Sequence, residues 1–352
     1  MLAFVSMFGP PEEAGIQAFH VDVETGSLTP AKETLAGGQT FFLAIAPDCR
    51  TLYSVRAEHF GGQNHEEIVA WRIRGRVGLL EEINRQSTCG TAACFLSLDV
   101  AGRTLLVANY TTGSVAALPV KKDGSLGKVA SFYEHEGASV HPDRQATAHA
   151  HSIIASPENR FAYAADLGTD RIVCYRLDAD LARLTPHAPG SVKVPLGAGP
   201  RHVRFHPAGR QLYVIHELAN SVSVYDYDAW SGSLAERQGI STLPRHFLGE
   251  SAAADLAITP GGDFLYATNR GHDSIAVFRI CPDGLLEALD IVPSLGAGPQ
   301  NLAITPDGRL MFCANMGGGN VSVFRIDAAT GQIVPASAPT AVRKPACIAL
   351  IE

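Results

Sequence analysis

A unit of about fifty residues recurs along this chain, a period in the range of the longer β-repeats, and no other feature restricts the fold as strongly. Its marker is a turn followed by an apolar strand. The marker reads APDCRTLYSV from Ala46, DVAGRTLLVAN from Asp99, SPENRFAYAAD from Ser156, HPAGRQLYVIHE from His206, TPGGDFLYATN from Thr259 and TPDGRLMFCAN from Thr305. The equivalent positions Arg50, Arg103, Arg160, Arg210, Asp263 and Arg309 follow one another at spacings of 53, 57, 50, 53 and 46 residues. Each unit continues into a third strand, such as EIVAWRI, RIVCYRL or SVSVYDY, and most reach a weaker fourth. Four short antiparallel strands at this period, without strong helical periodicity, are the pattern of propeller blades; solenoid repeats are much shorter.

Six units are explicit, and the two ends supply a seventh. LAFVSMF, GIQAFHVD and SLTPAKETL read as the second to fourth strands of a unit without its first, while PACIALI near the C-terminus reads as a first strand alone. Joining them closes the ring and removes the sheet edges that a linear array would expose. The expected fold is all-β, a seven-bladed β-propeller closed by a composite blade, with residues 1–352 forming one domain. The longest irregular insertion, from Tyr133 to Ala148, belongs near the functional site, because long ordered loops in compact domains carry function disproportionately.

Charge and composition narrow the function. A net charge of −7 argues against a nucleic-acid surface, which needs a broad field of Lys and Arg, but leaves room for a local basic pocket. The seven cysteines are scattered and never form a CxxC pair, so they read as small buried hydrophobes of a reducing compartment rather than a disulfide framework or zinc ribbon. The opening MLAFVSMFGP has no basic leader and itself reads as a strand, and no segment has about 20 unbroken apolar residues. The expectation is a cytoplasmic protein that contacts neither membrane nor nucleic acid.

In a blade the start of the first strand lies beside the end of the second, and these points from all blades gather on one face around the channel. The rim so predicted comprises Gln39 with Arg56 and Glu58, Asn109 with Tyr110, His149 and His151 with Asp166, Arg201 and His202 with Glu217, Asp255 with Asn269 and Arg270, and Gln300 and Asn301 with Asn315. Asn109, Asn269, Asn315 and Asp166 have ordinary turn roles. Arg201, Glu217, Arg270 and the two histidines do not, and together they suit an anionic ligand. The HAH at His149–His151 has its imidazoles two residues apart, on one strand face, but no third ligand is evident, so proton transfer or ligand binding competes with a metal role. His141, His187, His206 and His216 read as turn or rim residues. GAGP at Gly197 and again at Gly296 lacks the strand-before, helix-after setting of a dinucleotide loop and reads as a blade-linking turn.

Three stretches carry a resemblance: RQATAHAHSIIASPENRFAYAADLGTDRI, GAGPRHVRFHPAGRQLYVIHELANSVSVY, and AITPGGDFLYATNRGHDSIAVF with the NLAITPDGRLMFCANMGGGNVSVF that follows. They resemble the seven-bladed propeller lactonases, a family that includes the bacterial propeller-type 6-phosphogluconolactonases and the fungal 3-carboxy-cis,cis-muconate lactonizing enzymes. The resemblance implies His151, Arg201, Glu217 and Arg270 as the catalytic set, with Arg144, Gln145, His149, His202 and Asn301 as substrate-binding candidates. One blade departs from the pattern, with Gln300 in GPQN where an arginine is expected. The implied reaction is hydrolysis of 6-phospho-D-glucono-1,5-lactone, a small anionic sugar lactone, in the pentose phosphate pathway without metal or cofactor. Glu217 or His151 would serve as base, and Arg201 and Arg270 would hold the phosphate or the developing oxyanion. Two alternatives stand beside it: a carboxymuconate-type cycloisomerase using the same residues, and a non-catalytic propeller scaffold, which would leave the His, Arg and Glu cluster without a task.

Overall fold

The computed structural model describes residues 1–352 apart from Gln63 and the side chain of Pro189. Its strands form seven separate antiparallel sheets. Blade 1 is built from Leu43–Ile45, Thr51–Arg56, Glu67–Arg74 and Leu79–Ser87, and blade 2 from Ala93–Leu98, Thr104–Asn109, Ser114–Pro119 and Ser131–Glu134. Blade 3 follows with Ala150–Ala155, Phe161–Asp166, Arg171–Asp178 and Arg183–Lys193, and blade 4 with Pro200–Phe205, Gln211–His216, Ser221–Asp228 and Ser233–Ser241. Blade 5 comprises Ala252–Ile258, Phe264–Arg270, Ser274–Ile280 and Leu286–Pro293. Blade 6 comprises Pro299–Ile304, Leu310–Asn315, Asn320–Ile326 and Ile333–Pro335.

The closing blade is composite, as the two chain ends lead one to expect. Pro345–Ile351 is its inner strand, pairing antiparallel with Leu2–Met7, and Gly15–Val21 and Leu28–Leu35 complete it. Each inner strand packs against the inner strands of the blades on either side, so the ring shuts. No helix of the described residues is long and apolar enough to cross a membrane.

Burial follows the blade order. Second strands such as Thr104–Asn109 and Leu310–Asn315 are buried at every position, whereas outer strands such as Ser233–Ser241 are mostly exposed. The repeated turn explains the marker motif. Its fourth residue has positive φ, +69° at Gly209 and +73° at Gly308, where a Cβ is disfavoured; Cys49 and Asn159 take the same conformation at the equivalent places.

Neighbouring blades are tied by two recurring polar contacts. The tyrosine at the third position of the second strand donates to a glycine carbonyl of the next blade: Tyr53 to Gly124, Tyr163 to Gly232, Tyr213 to Gly284 and Tyr266 to Gly331, at 2.7–3.0 Å. Meanwhile a carboxylate in or beside the turn between second and third strands accepts backbone N–H groups at the entry of the following blade. Asp170 accepts from Gly197 and Gly199 at 2.6 and 2.7 Å, and Asp273 from Gly298 at 2.7 Å. Both GAGP segments are therefore held by their backbones to an aspartate of the preceding blade, as blade-linking turns should be.

Candidate functional site

The inner strands do not pair evenly with their neighbours. In blade 2, Ala93 faces Asn109 and Phe95 faces Ala108, which leaves Cys94 as an extra residue; the same one-residue bulge falls on His151, Arg201 and Gln300 in blades 3, 4 and 6. Blade 5 has its irregularity at Ala254 and Asp255. A bulge re-aims a side chain that regular pairing would send between the blades, and bulges concentrate near functional sites. It also breaks the alternation assumed for His149 and His151: His149 precedes the strand, His151 is the bulge, and the two do not repeat along one regular face.

Glu217 is the centre on which these side chains meet. Its N–H is fixed on the Gly199 carbonyl at 2.7 Å, just past the end of the second strand of blade 4. Oε2 receives Arg201 Nε at 2.9 Å and Arg270 Nη2 at 2.8 Å, and Oε1 receives Arg144 Nη2 at 2.5 Å. His151 Nε2 stands 3.9 Å from Oε2. Burial by itself would push the Glu217 carboxyl up, but Arg270, Arg201 and Arg144 outweigh it and hold the group well below the usual carboxylate range. Burial and the adjacent Arg201 charge lower His151 well below its ordinary value, so its imidazole is neutral. Arg201 is only 1% exposed; burial and the nearness of Arg270 bring it down to about 10, still charged at neutral pH.

Beneath this cluster a polar chain runs from blade to blade along the inner strands. Arg201 Nη1 donates to the Ala254 carbonyl and to His202 Nε2 at 3.1 Å. Because a guanidinium only donates, His202 Nε2 must accept, and the imidazole proton lies on Nδ1, bonded to Asp255 Oδ1 at 2.7 Å. Burial and Arg201 lower His202 to about 4, while Asp255, though buried, is held at about 2 by His202 and Arg204, so the pair is a neutral imidazole on a carboxylate. Asp255 Oδ2 in turn accepts from Asn301 Nδ2 at 2.6 Å, and Asn301 Oδ1 accepts the Ile348 N–H at 2.8 Å. Phe95 and Phe42 meet the His202 ring at 4.9 and 6.1 Å and floor the site with apolar surface.

The structure thus brings His151, Arg201, Glu217, Arg270 and Arg144 together, Arg144 arriving from the insertion after Tyr133. His149 stands at the edge: its ring lies on Tyr110 at 4.4 Å and 7°, and Nδ1 meets the Tyr110 carbonyl. Three substrate-binding candidates have other occupations. Gln145 is buried, donating to the Leu167 carbonyl at 2.8 Å and accepting the His141 N–H at 3.1 Å. His202 and Asn301 belong to the chain beneath Arg201. Gln300, which departs from the expected arginine, nonetheless meets Arg270 Nη1 through Oε1 at 3.5 Å. Tyr110, whose hydroxyl takes a 3.2 Å hydrogen bond from Arg144, and Cys94, whose sulfur lies 3.6 Å from His151 Nδ1, are additional members. Tyr110 was on the predicted rim; Cys94 occupies the sequence slot that holds His151 and Arg201 in later blades, and that alignment was the available signal.

Among the described residues, no group of three or more His, Cys, Asp or Glu is arranged to hold a metal ion. His206 and His187 bond carbonyls, of Gly262 and Ser231 respectively, and His216 bonds Ser223.

Comparison with known proteins identifies the family. The family described as lactonase, 7-bladed beta-propeller, matches residues 3–350. The 6-phosphogluconolactonase of Bacillus subtilis is 34% identical over 79% of this chain and 77% of its own, and that of Formosa agariphila is 32% identical over 82% and 81%. Among solved structures, the periplasmic gluconolactonase of Pseudomonas aeruginosa superposes with a TM-score of 0.92 at 31% identity, covering 99% of both chains. The chain therefore belongs to the lactonase family of seven-bladed β-propellers and is, with that family, a lactone hydrolase.

Proposed function

We propose that the protein hydrolyses 6-phospho-D-glucono-1,5-lactone to 6-phosphogluconate, a step of the pentose phosphate pathway, in the cytoplasm. One observation carries the reading: three guanidinium groups and a neutral imidazole surround a single buried carboxylate. The basic excess suits a phosphorylated substrate, and the names of the Bacillus and Formosa relatives agree with it. The seven cysteines are all free, which suits a reducing compartment.

In this reading Glu217 Oε2 and His151 Nε2, 3.9 Å apart, flank the attacking water, which can touch both. Water gives a proton to Glu217 as its oxygen bonds to the lactone carbonyl carbon, and the carbonyl electron pair moves onto the oxygen. Arg270 and Arg201 stabilise that oxyanion and orient the substrate. The intermediate then collapses, the bond to the ring oxygen breaks, and that oxygen takes the proton back from Glu217. His149 and Tyr110 form the wall against which the sugar ring lies. The chain of His202, Asp255 and Asn301 fixes Arg201 from below.

The test is hydrolysis of 6-phosphogluconolactone above its spontaneous background, with chelator present, for the wild type, Arg201→Ala and Glu217→Ala. The reading expects acceleration that both substitutions abolish while thermal unfolding remains cooperative. Unchanged rates in both variants would overturn the site. Acceleration of unphosphorylated gluconolactone alone would transfer the assignment to the substrate named for the Pseudomonas relative, and turnover of a carboxymuconate alone would transfer it to a cycloisomerase.

A further inference from the structure

The three arginines around Glu217 are not equivalent. Arg201 is buried and spends Nε on Glu217 and Nη1 on Ala254 and His202. Arg270 is tied to its own blade, with Nε on the Ala252 carbonyl at 3.2 Å and Nη2 on that of Ala253 at 3.3 Å. Arg144 comes from a loop, and its side chain is 39% exposed. It touches Glu217 and the Tyr110 hydroxyl through Nη2 alone, and among the described residues Nε and Nη1 have no protein acceptor. Its backbone, by contrast, is fixed: the Asp143 and Arg144 N–H groups donate to His141 Nδ1, and the neighbouring Gln145 side chain holds Leu167 and His141. A long cationic side chain thus extends from an anchored base.

The charges do not balance either. Arg144, Arg201 and Arg270 face Glu217, Arg204 lies 3.8 Å from the Asp255 carboxylate beneath them, and the histidines between are neutral, so four guanidiniums meet two carboxylates and two positive charges are in excess. A phosphate monoester dianion supplies the missing two; a neutral sugar lactone supplies none.

We propose that Arg144 is an exchange arm: in the free protein it covers Oε1 of Glu217, and on binding it transfers to the phosphate dianion of the substrate, withdrawing one cation from the carboxylate whose Oε2 takes the proton. Only the kinetic consequence rests on the lactonase reading. With the arm in place Glu217 is caged and a weak base; withdrawing one cation and bringing a dianion close raises its basicity. The phosphate therefore promotes turnover as well as binding, because its interaction is used to assemble the reactive state. Specificity for phosphorylated over neutral lactone should then appear in kcat.

Two measurements test this. In the first, inorganic phosphate is titrated into the wild type and Arg144→Gln while the Glu217 carboxyl carbon is followed by NMR, assigned with Glu217→Gln. We expect a saturable shift in the wild type and binding weaker by about tenfold, the loss of one charge-assisted contact, in Arg144→Gln. No saturable shift, or the same affinity in both, overturns the arm. In the second, kcat is measured on 6-phosphogluconolactone and gluconolactone. Arg144→Gln should lower the first and raise the second, and inorganic phosphate should activate gluconolactone hydrolysis by the wild type alone. Equal proportional losses on both substrates overturn the arm. If neither lactone is hydrolysed yet phosphate shifts Glu217 in an Arg144-dependent way, the lactonase reading falls and the arm stands.

Discussion

Two glutamates in this molecule are buried almost equally, Glu66 at 2% and Glu217 at 3% exposure, and their surroundings push them in opposite directions. Glu66, between blades 1 and 2, has no cation in contact. Its oxygens accept backbone N–H groups of Gly61 at 3.0 Å, Ala92 at 2.9 Å and Ala93, yet burial still raises its pKa. Glu217 is desolvated too, but the full charges of Arg270, Arg201 and Arg144 drive its pKa down. Three peptide dipoles soften the cost of burying a carboxylate, whereas three guanidiniums reverse it. The first arrangement ties two blades; the second makes a centre of fixed charge with an unbalanced excess, which is what an anion-binding site requires.

The largest break in this comparison is Glu217→Gln. It removes the proposed base, for a rate loss of about 10²–10⁴-fold. It also leaves the wholly buried Arg201 without its counter-charge, for a stability loss of about 3–5 kcal/mol by denaturant unfolding. Next comes Glu66→Gln, which sets an amide against backbone donors and should cost about 1–3 kcal/mol while turnover stays at the wild-type value. A rate loss equal to that of Glu217→Gln would erase the distinction between the two sites.

The pH dependence sharpens it further. Glu217 is held below its ordinary value of 4.5, so its contribution to stability is complete above that pH and lost as pH falls through the folded value. Glu66 is raised above 4.5, so its contribution is complete below that pH and lost as pH rises through the folded value. Melting temperatures should therefore show the margin of wild type over Glu217→Gln narrowing on acidification below 4.5, and its margin over Glu66→Gln narrowing as pH climbs above 4.5. The smallest effect is expected for Tyr266→Phe, which deletes one blade-to-blade hydrogen bond remote from both glutamates and should lower stability by about 1 kcal/mol with no change in rate.

Much of the site was legible because propeller geometry converts sequence position into place. The ends of second strands and starts of first strands face one another, as Pro200 faces His216 and Ala252 faces Arg270, so listing those positions located Glu217, Arg201, Arg270 and His151. Side-chain direction was less legible. Gln145 sits beside Arg144 in sequence but turns inward to hold its loop, and Asn301 follows Gln300 but is consumed by Asp255 and Ile348. Glu66 was absent from the predicted rim, since nothing local distinguishes a glutamate that caps the next blade from the half-buried Glu67 beside it, which pairs with Arg56 and Arg85.

The sequence alone determined the blades, their number and the closure of the ring, because each rests on local physics: a turn residue with positive φ, apolar strands recurring at a fixed period, and an unpaired first strand at one end answering its absence at the other. Tertiary structure decided which polar side chains meet. The bulges at His151 and Arg201 bring those residues to Glu217, and Arg144 reaches it across 73 positions of chain. Contacts of that kind depend on the spacing and tilt of packed blades, which sequence periodicity does not encode.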